Sequence, residues 1–218
     1  MPLLQFVTLH LNEDTREKFD QAFNELIDTS VKSEEKTKCY YWFAPESGDK
    51  KNLYGVEIYE DESSWKEHMA TPQFKKFVES VQSNGLFTQS FSADNYEPVV
   101  GFVDRPGKET PSAGQHVLIV DFVAKSSADR DGLFKEAQSL VDHVEKNEDG
   151  TISYLFTKSL EDDKKILIFE QYTSKSYLTD VHQQSEEFKK KSPLIAQYVS
   201  DRKLTHYTSV GLGFTSKK

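Results

Sequence analysis

Val56-Glu57-Ile58-Tyr59 and Phe169-Glu170-Gln171-Tyr172 are the two stretches on which the fold turns. They lie 113 residues apart (169 less 56), and in each a glutamate precedes an aromatic residue by two places. Both read as strands. Each is followed by a helical stretch with a histidine and a phenylalanine six residues apart: His68 and Phe74, then His182 and Phe188. These pairs are offset by 114 residues, so one residue inserted between strand and histidine accounts for the change.

Working outward, the same order of elements appears on both sides. A strand opens each half, over residues 4–11 and 116–124. An amphipathic helix follows, with Phe19, Phe23, Leu26 and Ile27 at helical spacing in the first half. Leu133, Ala137, Leu140, Val141 and Val144 repeat that spacing in the second. A second strand comes next, over 39–43 and 152–157. Turns rich in Asp and Lys at 46–51 and 161–165 then suggest hairpins. Each half closes on a strand-like segment, Val99-Val100-Gly101-Phe102 and Val210-Gly211-Leu212-Gly213-Phe214. Between the halves, residues 105–114 are polar, contain Pro and Gly, and read as a linker.

Each half therefore predicts a ferredoxin-like β-α-β-β-α-β unit, the first over 1–104 and the second over 115–218. Such a unit has helices on one face of an antiparallel sheet and must cover the other. Two units in one chain can cover each other. The expected fold is α+β, an intramolecular dimeric α/β barrel made by tandem duplication. The competing reading is two ferredoxin-like domains with separate cores.

Composition narrows the function. The 218 residues carry a net charge of −9, and the short basic clusters are interleaved with acids. No basic stripe for nucleic acid emerges. No apolar run approaches the roughly eighteen residues of a membrane span. Residues 1–6 lack a basic leader and read as a strand entering a domain. Cys39 is the only cysteine, which points to a reducing, cytoplasmic setting and to a buried inert thiol. Glycine-rich nucleotide loops, His-Glu-x-x-His, paired cysteines and Gly-x-Ser-x-Gly are all absent. The expected partner is a small molecule, with no nucleic acid and no membrane. The duplicated chain acts as its own pseudodimer, with a further homodimer left open.

The run from Glu57 to Phe77, with Tyr59, Trp65, His68 and Phe74, resembles the antibiotic biosynthesis monooxygenase domain family. The second half departs from this pattern: its spacing is one residue longer and no tryptophan precedes His182. The resemblance implies a dimeric α+β barrel. It also implies a cofactor-free monooxygenase acting on an aromatic or polyketide-like molecule. A non-catalytic barrel binding a small apolar ligand or a partner protein remains an alternative, as does an isomerase or lyase. Haem degradation in this fold uses an asparagine on the first strand, and residues 4–11 contain none.

The candidate catalytic residues are Glu57, His68, Glu170, His182 and Asp121. If Val56 and Ile58 lie under the helices, Glu57 and Tyr59 point into the barrel, with His68 as partner of Glu57. A carboxylate-oriented imidazole is a general base near neutral pH. The same pairs also fit a structural brace, since a brace would recur in both halves. Candidate binding residues are Thr8, His10, Trp42, Tyr59, Trp65 and Tyr172. Thr8 and Asp121 correspond at the 113-residue offset and line a shared cavity if the face of Phe6 is interior. Tyr40, Tyr41, Trp42 and Phe43 form an aromatic run that either walls a pocket or packs a core. Phe74, Phe77, Val78 and Val81 read as core. His116, His143 and His206 lack recognisable partners and read as surface residues.

Overall fold

The computed structural model describes residues 1–47, 51–105 and 113–215. The centre of the 105–114 linker and part of the 46–51 turn lie outside the described residues. Among those described, the first half runs β1 (Leu3–His10), α1 (Arg16–Ser33), β2 (Thr37–Pro45), β3 (Asn52–Tyr59), α2 (Glu62–Ala70), α3 (Pro72–Asn84) and β4 (Ser92–Phe102). The second runs β5 (His116–Ala124), α4 (Ser127–Asn147), β6 (Thr151–Ser159), β7 (Lys165–Tyr172), α5 (Lys175–Asp180), α6 (Glu186–Ala196) and β8 (Val199–Phe214). The hydrogen-bonded strand order β1-β3-β2-β8-β5-β7-β6-β4 closes on itself. The fold is the α+β barrel, with eight strands drawn from two ferredoxin-like halves.

Two compact units divide the chain. Unit 1 holds Met1–Asn95 and takes up the chain again from Ser209; unit 2 takes over at Tyr96 and holds Gly114–Thr208. The changeovers fall inside β4 and inside β8. In unit 2, β4 pairs with β6 from Tyr96↔Ser159 to Phe102↔Tyr154. In unit 1, Phe214 packs into the core formed by Phe19, Phe23, Leu26 and Trp42, with Val210 and Leu212 against it.

Within unit 1, β3 is paired on both sides, by β1 (Gln5↔Glu57) and by β2 (Tyr40↔Glu57). Unit 2 repeats this: β7 pairs with β5 (Leu118↔Glu170) and with β6 (Tyr154↔Glu170). Residues opposite one another share a face. Gln5, Tyr40 and Glu57 therefore look the same way, as do Leu118, Tyr154 and Glu170. That way is toward the helices, because these residues border cavities also lined by α3 or α6 residues.

The histidine-bearing stretch is not one helix. In unit 1 it breaks at Thr71 (φ −61°, ψ 147°), whose hydroxyl accepts from the Phe74 amide, with Pro72 opening α3. Pro suits this first helical position because its missing N–H would have no partner there. In unit 2 a 3-10 turn, His182–Gln184, leads to Ser185, whose hydroxyl accepts from the Phe188 amide at 3.2 Å. Each histidine is thus fixed just before a capped helix start.

Candidate functional site

Each unit has a cavity between sheet and helices. That of unit 1 is about 520 Å³ and is walled by Phe23, Tyr40, Trp42, Trp65, Phe74 and Phe77. Glu57 and His68 also line it. That of unit 2 is about 490 Å³ and contains Glu170 and His182.

Glu57 and Tyr59 do not point away from the helices; they lie on the helix-covered face. The expectation fails because β2 and β3 are buried on both faces, so alternation carries no directional signal. The aromatic run splits accordingly. Tyr40 and Trp42 line the cavity, while Tyr41 and Phe43 sit on the opposite face. Phe77 belongs to the core, with Phe74 and Val81 packed against it, and these residues together with Val78 also line the cavity.

The partner of His68 is Glu34, not Glu57. His68 Nδ1 lies 2.7 Å from Glu34 Oε2, and the two side chains are 2% and 10% exposed. The Thr37 hydroxyl donates to the same oxygen at 2.9 Å. In unit 2, His182 Nδ1 lies 2.8 Å from Glu148 Oε2, which also accepts from Thr151 at 3.0 Å. Glu34 and Glu148 were not singled out by sequence reasoning. A signal existed: Glu-x-x-Thr occurs at both sites, offset by the 114 residues that relate the histidines.

Glu57 has its own partners. The Tyr59 hydroxyl donates to Glu57 Oε2 at 2.7 Å, as Tyr172 does to Glu170. Burial pushes the Glu57 carboxyl up; the charge on His68 and hydrogen bonds from Tyr59 and Tyr40 oppose that. Burial likewise raises Glu170, against the charge on His182 and the bond from Tyr172. For Glu34 and Glu148 burial also pushes upward. Their bonds to His68 and His182 overcome it, and both end below the ordinary carboxylate value. Each site thus pairs one carboxyl held up with one held down, and the imidazole contacts the one held down.

A carboxylate on Nδ1 orients the ring, so that Nε2 is the nitrogen left to accept a proton in the neutral form or to donate one in the charged form. His68 is boxed by Tyr40, Tyr59 and Phe74 with ring centroids at 5.7, 5.7 and 5.1 Å. His182 is boxed by Tyr154, Tyr172 and Phe188 at 5.2, 5.5 and 4.8 Å.

Thr8, His10 and Asp121 lie on the sheet face away from the helices and line neither cavity. His10 Nδ1 is 2.7 Å from Asn52 Oδ1. His116 is not a surface residue: it is 3% exposed, and its Nε2 is 3.1 Å from His206 Nδ1. Cys39 is buried, as its aromatic surroundings suggest. Among the described residues no three His, Cys, Asp or Glu side chains cluster to hold a metal ion. No helix there is long and apolar enough to cross a membrane.

Among solved structures, the chain resembles a candidate monooxygenase from Lactobacillus acidophilus, with TM-score 0.83 and 15% identity, over 99% of this chain and 97% of that one. A candidate monooxygenase from Fusobacterium nucleatum gives TM-score 0.82 and 16% identity, over 100% and 96%. An anthrone oxidase-like protein gives TM-score 0.61 and 14% identity, over 100% and 94%. At these identities the likeness concerns the fold. Comparison with curated proteins gives no match. The family profile for antibiotic biosynthesis monooxygenases matches twice, over residues 2–80 and 123–191, more than half of the chain. This chain belongs to the antibiotic biosynthesis monooxygenase family, as a tandem duplication of its domain.

Proposed function

We propose that the chain is a monooxygenase that needs no cofactor, acts on an aromatic or polyketide-like small molecule, and does its chemistry in the cavity of unit 1. The supporting observation is the Glu34–His68 pair, whose histidine lines a cavity that also has eight Phe, Tyr and Trp side chains among its described lining residues. Trp42 and Trp65 offer flat surfaces to a fused-ring substrate. Trp42 stands opposite Gly55, where a Cβ would come within 2.6 Å of the indole, so β3 gives up a side chain to admit it.

His68, oriented by Glu34, takes a proton from an activated C–H or phenolic O–H. The carbanion passes one electron to dioxygen, and the radical pair combines as a carbon-bound peroxide. For an anthrone, the second hydrogen on that carbon leaves with the distal oxygen as water. One dioxygen and one anthrone thus give one quinone and one water. Glu57, whose carboxyl burial pushes up from the ordinary carboxylate value, sits beside the charge that develops.

An oxygen electrode tests this with a panel of anthrones and hydroquinones. The expected result is one dioxygen consumed per substrate, with His68→Ala lowering kcat by about 10²–10⁴, the usual worth of a general base. Oxygen consumption at the rate of buffer across the panel would sink the proposal. Substrate loss without oxygen would transfer the site to an isomerase or lyase.

The recurrence of Glu148–His182 in unit 2 favours a second reading, in which both pairs brace a helix to its sheet. That reading prevails if His68→Ala and His182→Ala leave turnover intact while lowering Tm.

A further inference from the structure

We propose that the cavity of unit 2 is a separate binding site for a neutral aliphatic alcohol, whose chain lies along its aliphatic wall and whose hydroxyl donates to His182 Nε2. His182 is 1% exposed, and its Nδ1 is held by Glu148. Its Nε2 is buried and has no hydrogen-bond partner among the described residues. A polar atom left unmet at that depth is unfavourable. The residue lines the cavity, so a ligand in the cavity can meet it.

The walls differ from those of unit 1 at matched positions. Phe156 stands at the place of Trp42, and Leu118 at the place of Gln5. Ile168 stands opposite Phe156, where unit 1 has Gly55 opposite Trp42. Leu178, four residues after its helix cap as Trp65 is after Asp61, takes the place of Trp65. Leu118, Val120, Leu140, Ile168, Leu178 and Ile195 give an aliphatic wall for a flexible chain; Phe122, Tyr154, Phe156 and Phe188 also line the cavity, with no tryptophan among them.

The head group follows from the charges. Beside His182 a carboxylate would meet Glu170; Arg202, also in the lining, pairs with Phe122, four residues along β5 from the Leu118 that stands opposite Glu170. An ammonium would find no Glu148 in the lining, and Glu170 held up by burial. A hydroxyl needs neither. It donates to Nε2, and its oxygen can pair with the Glu170 carboxyl, which burial pushes toward its protonated form and which already accepts from Tyr172.

The test is calorimetric titration of the whole chain with 1-octanol and its isomer 1-methoxyheptane, which has no O–H, and with octanoate and octylamine. The expected result is one 1-octanol per chain, bound at least tenfold more tightly than each of the others. Ser192→Phe, on α6 at the half-buried edge of this cavity, should weaken 1-octanol at least tenfold. Ala196→Phe serves as a second block should that variant misfold. Val78→Phe, at the matched position of unit 1, should change it less than twofold. The proposal is overturned if the ether binds as well as the alcohol, if either ion binds more tightly, or if neither block in unit 2 weakens binding. It is also overturned if Val78→Phe removes binding. Because binding is read rather than oxygen uptake, failure here leaves the reaction assigned to unit 1 standing, and the converse also holds.

Discussion

Glu34 and Glu148 each stand at the C-terminal cap of a long helix, α1 and α4. The helix dipole disfavours a carboxylate there and favours a cation. The histidine opposite each supplies the compensation. This sets two opposite pH dependences. Glu57 is raised, so its favourable contribution to stability is present below its ordinary value of 4.5 and lost as pH rises through the raised one. Glu57→Gln should therefore match or exceed the parent in denaturant melts at pH 7.5, with that advantage gone at pH 4. A variant weaker at pH 7.5 than at pH 4, relative to the parent, would contradict this. Glu34 is lowered, so its contribution is present above 4.5 and lost as pH falls through the lowered value. Glu34→Gln should cost about 3–5 kcal/mol at neutral pH, as breaking a buried pair does, and less in acid. The recurrence of Glu57 and His68 was legible in the sequence because both sit in aromatic surroundings at a fixed offset. Their pairing was not. Glu34 is 34 residues from His68 and lies on another helix, so only the fold brings them together.

At the scale of elements, helical periodicity and apolar runs placed every strand and both long helices, but the closing strands were read only over 99–102 and 210–214, whereas β4 starts at Ser92 and β8 at Val199. The break between α2 and α3 was missed, because His68 and Phe74 keep an unbroken apolar spacing across Thr71-Pro72. Strand faces were not readable either, since β2 and β6 are almost wholly buried from end to end. The closing strands carry a requirement that the sequence shows only as glycine. Gly101 has φ 129° and Gly213 has φ 97°, a region that other residues rarely enter. A Cβ on Gly101 would overlap the Tyr154 carbonyl oxygen, and one on Gly213 that of Tyr40. These tyrosines are the matched pair beside Glu170 and Glu57. Gly101→Ala and Gly213→Ala should each destabilise by about 1–3 kcal/mol from backbone strain alone. The overlap adds to that. A shift in the denaturation midpoint measures it, and a change under 0.5 kcal/mol, roughly the surface background, would refute the argument.

For the whole molecule, the sequence divides into two successive halves, whereas the compact units do not follow that order. Unit 1 contains Ser209 onward, and unit 2 contains the end of β4 from Tyr96. Duplication was legible from matched offsets; the crossing was not, because a strand looks the same whichever sheet neighbours it joins. A chain ended at Thr208 tests it. Every pairing of β8 with β5 up to His116↔Thr208 survives in unit 2. Unit 1 loses Val210, Leu212 and Phe214 from its core. Hydrogen exchange should show amides of β2 losing protection while β5, β6 and β7 keep theirs. Equal loss in both would refute it. The crossing also sets an order of manufacture. Domains usually fold as they leave the ribosome, the earlier-made one first. Here the unit begun first cannot be finished until residues 209–214 have been translated, by which time every residue of the other has already been made.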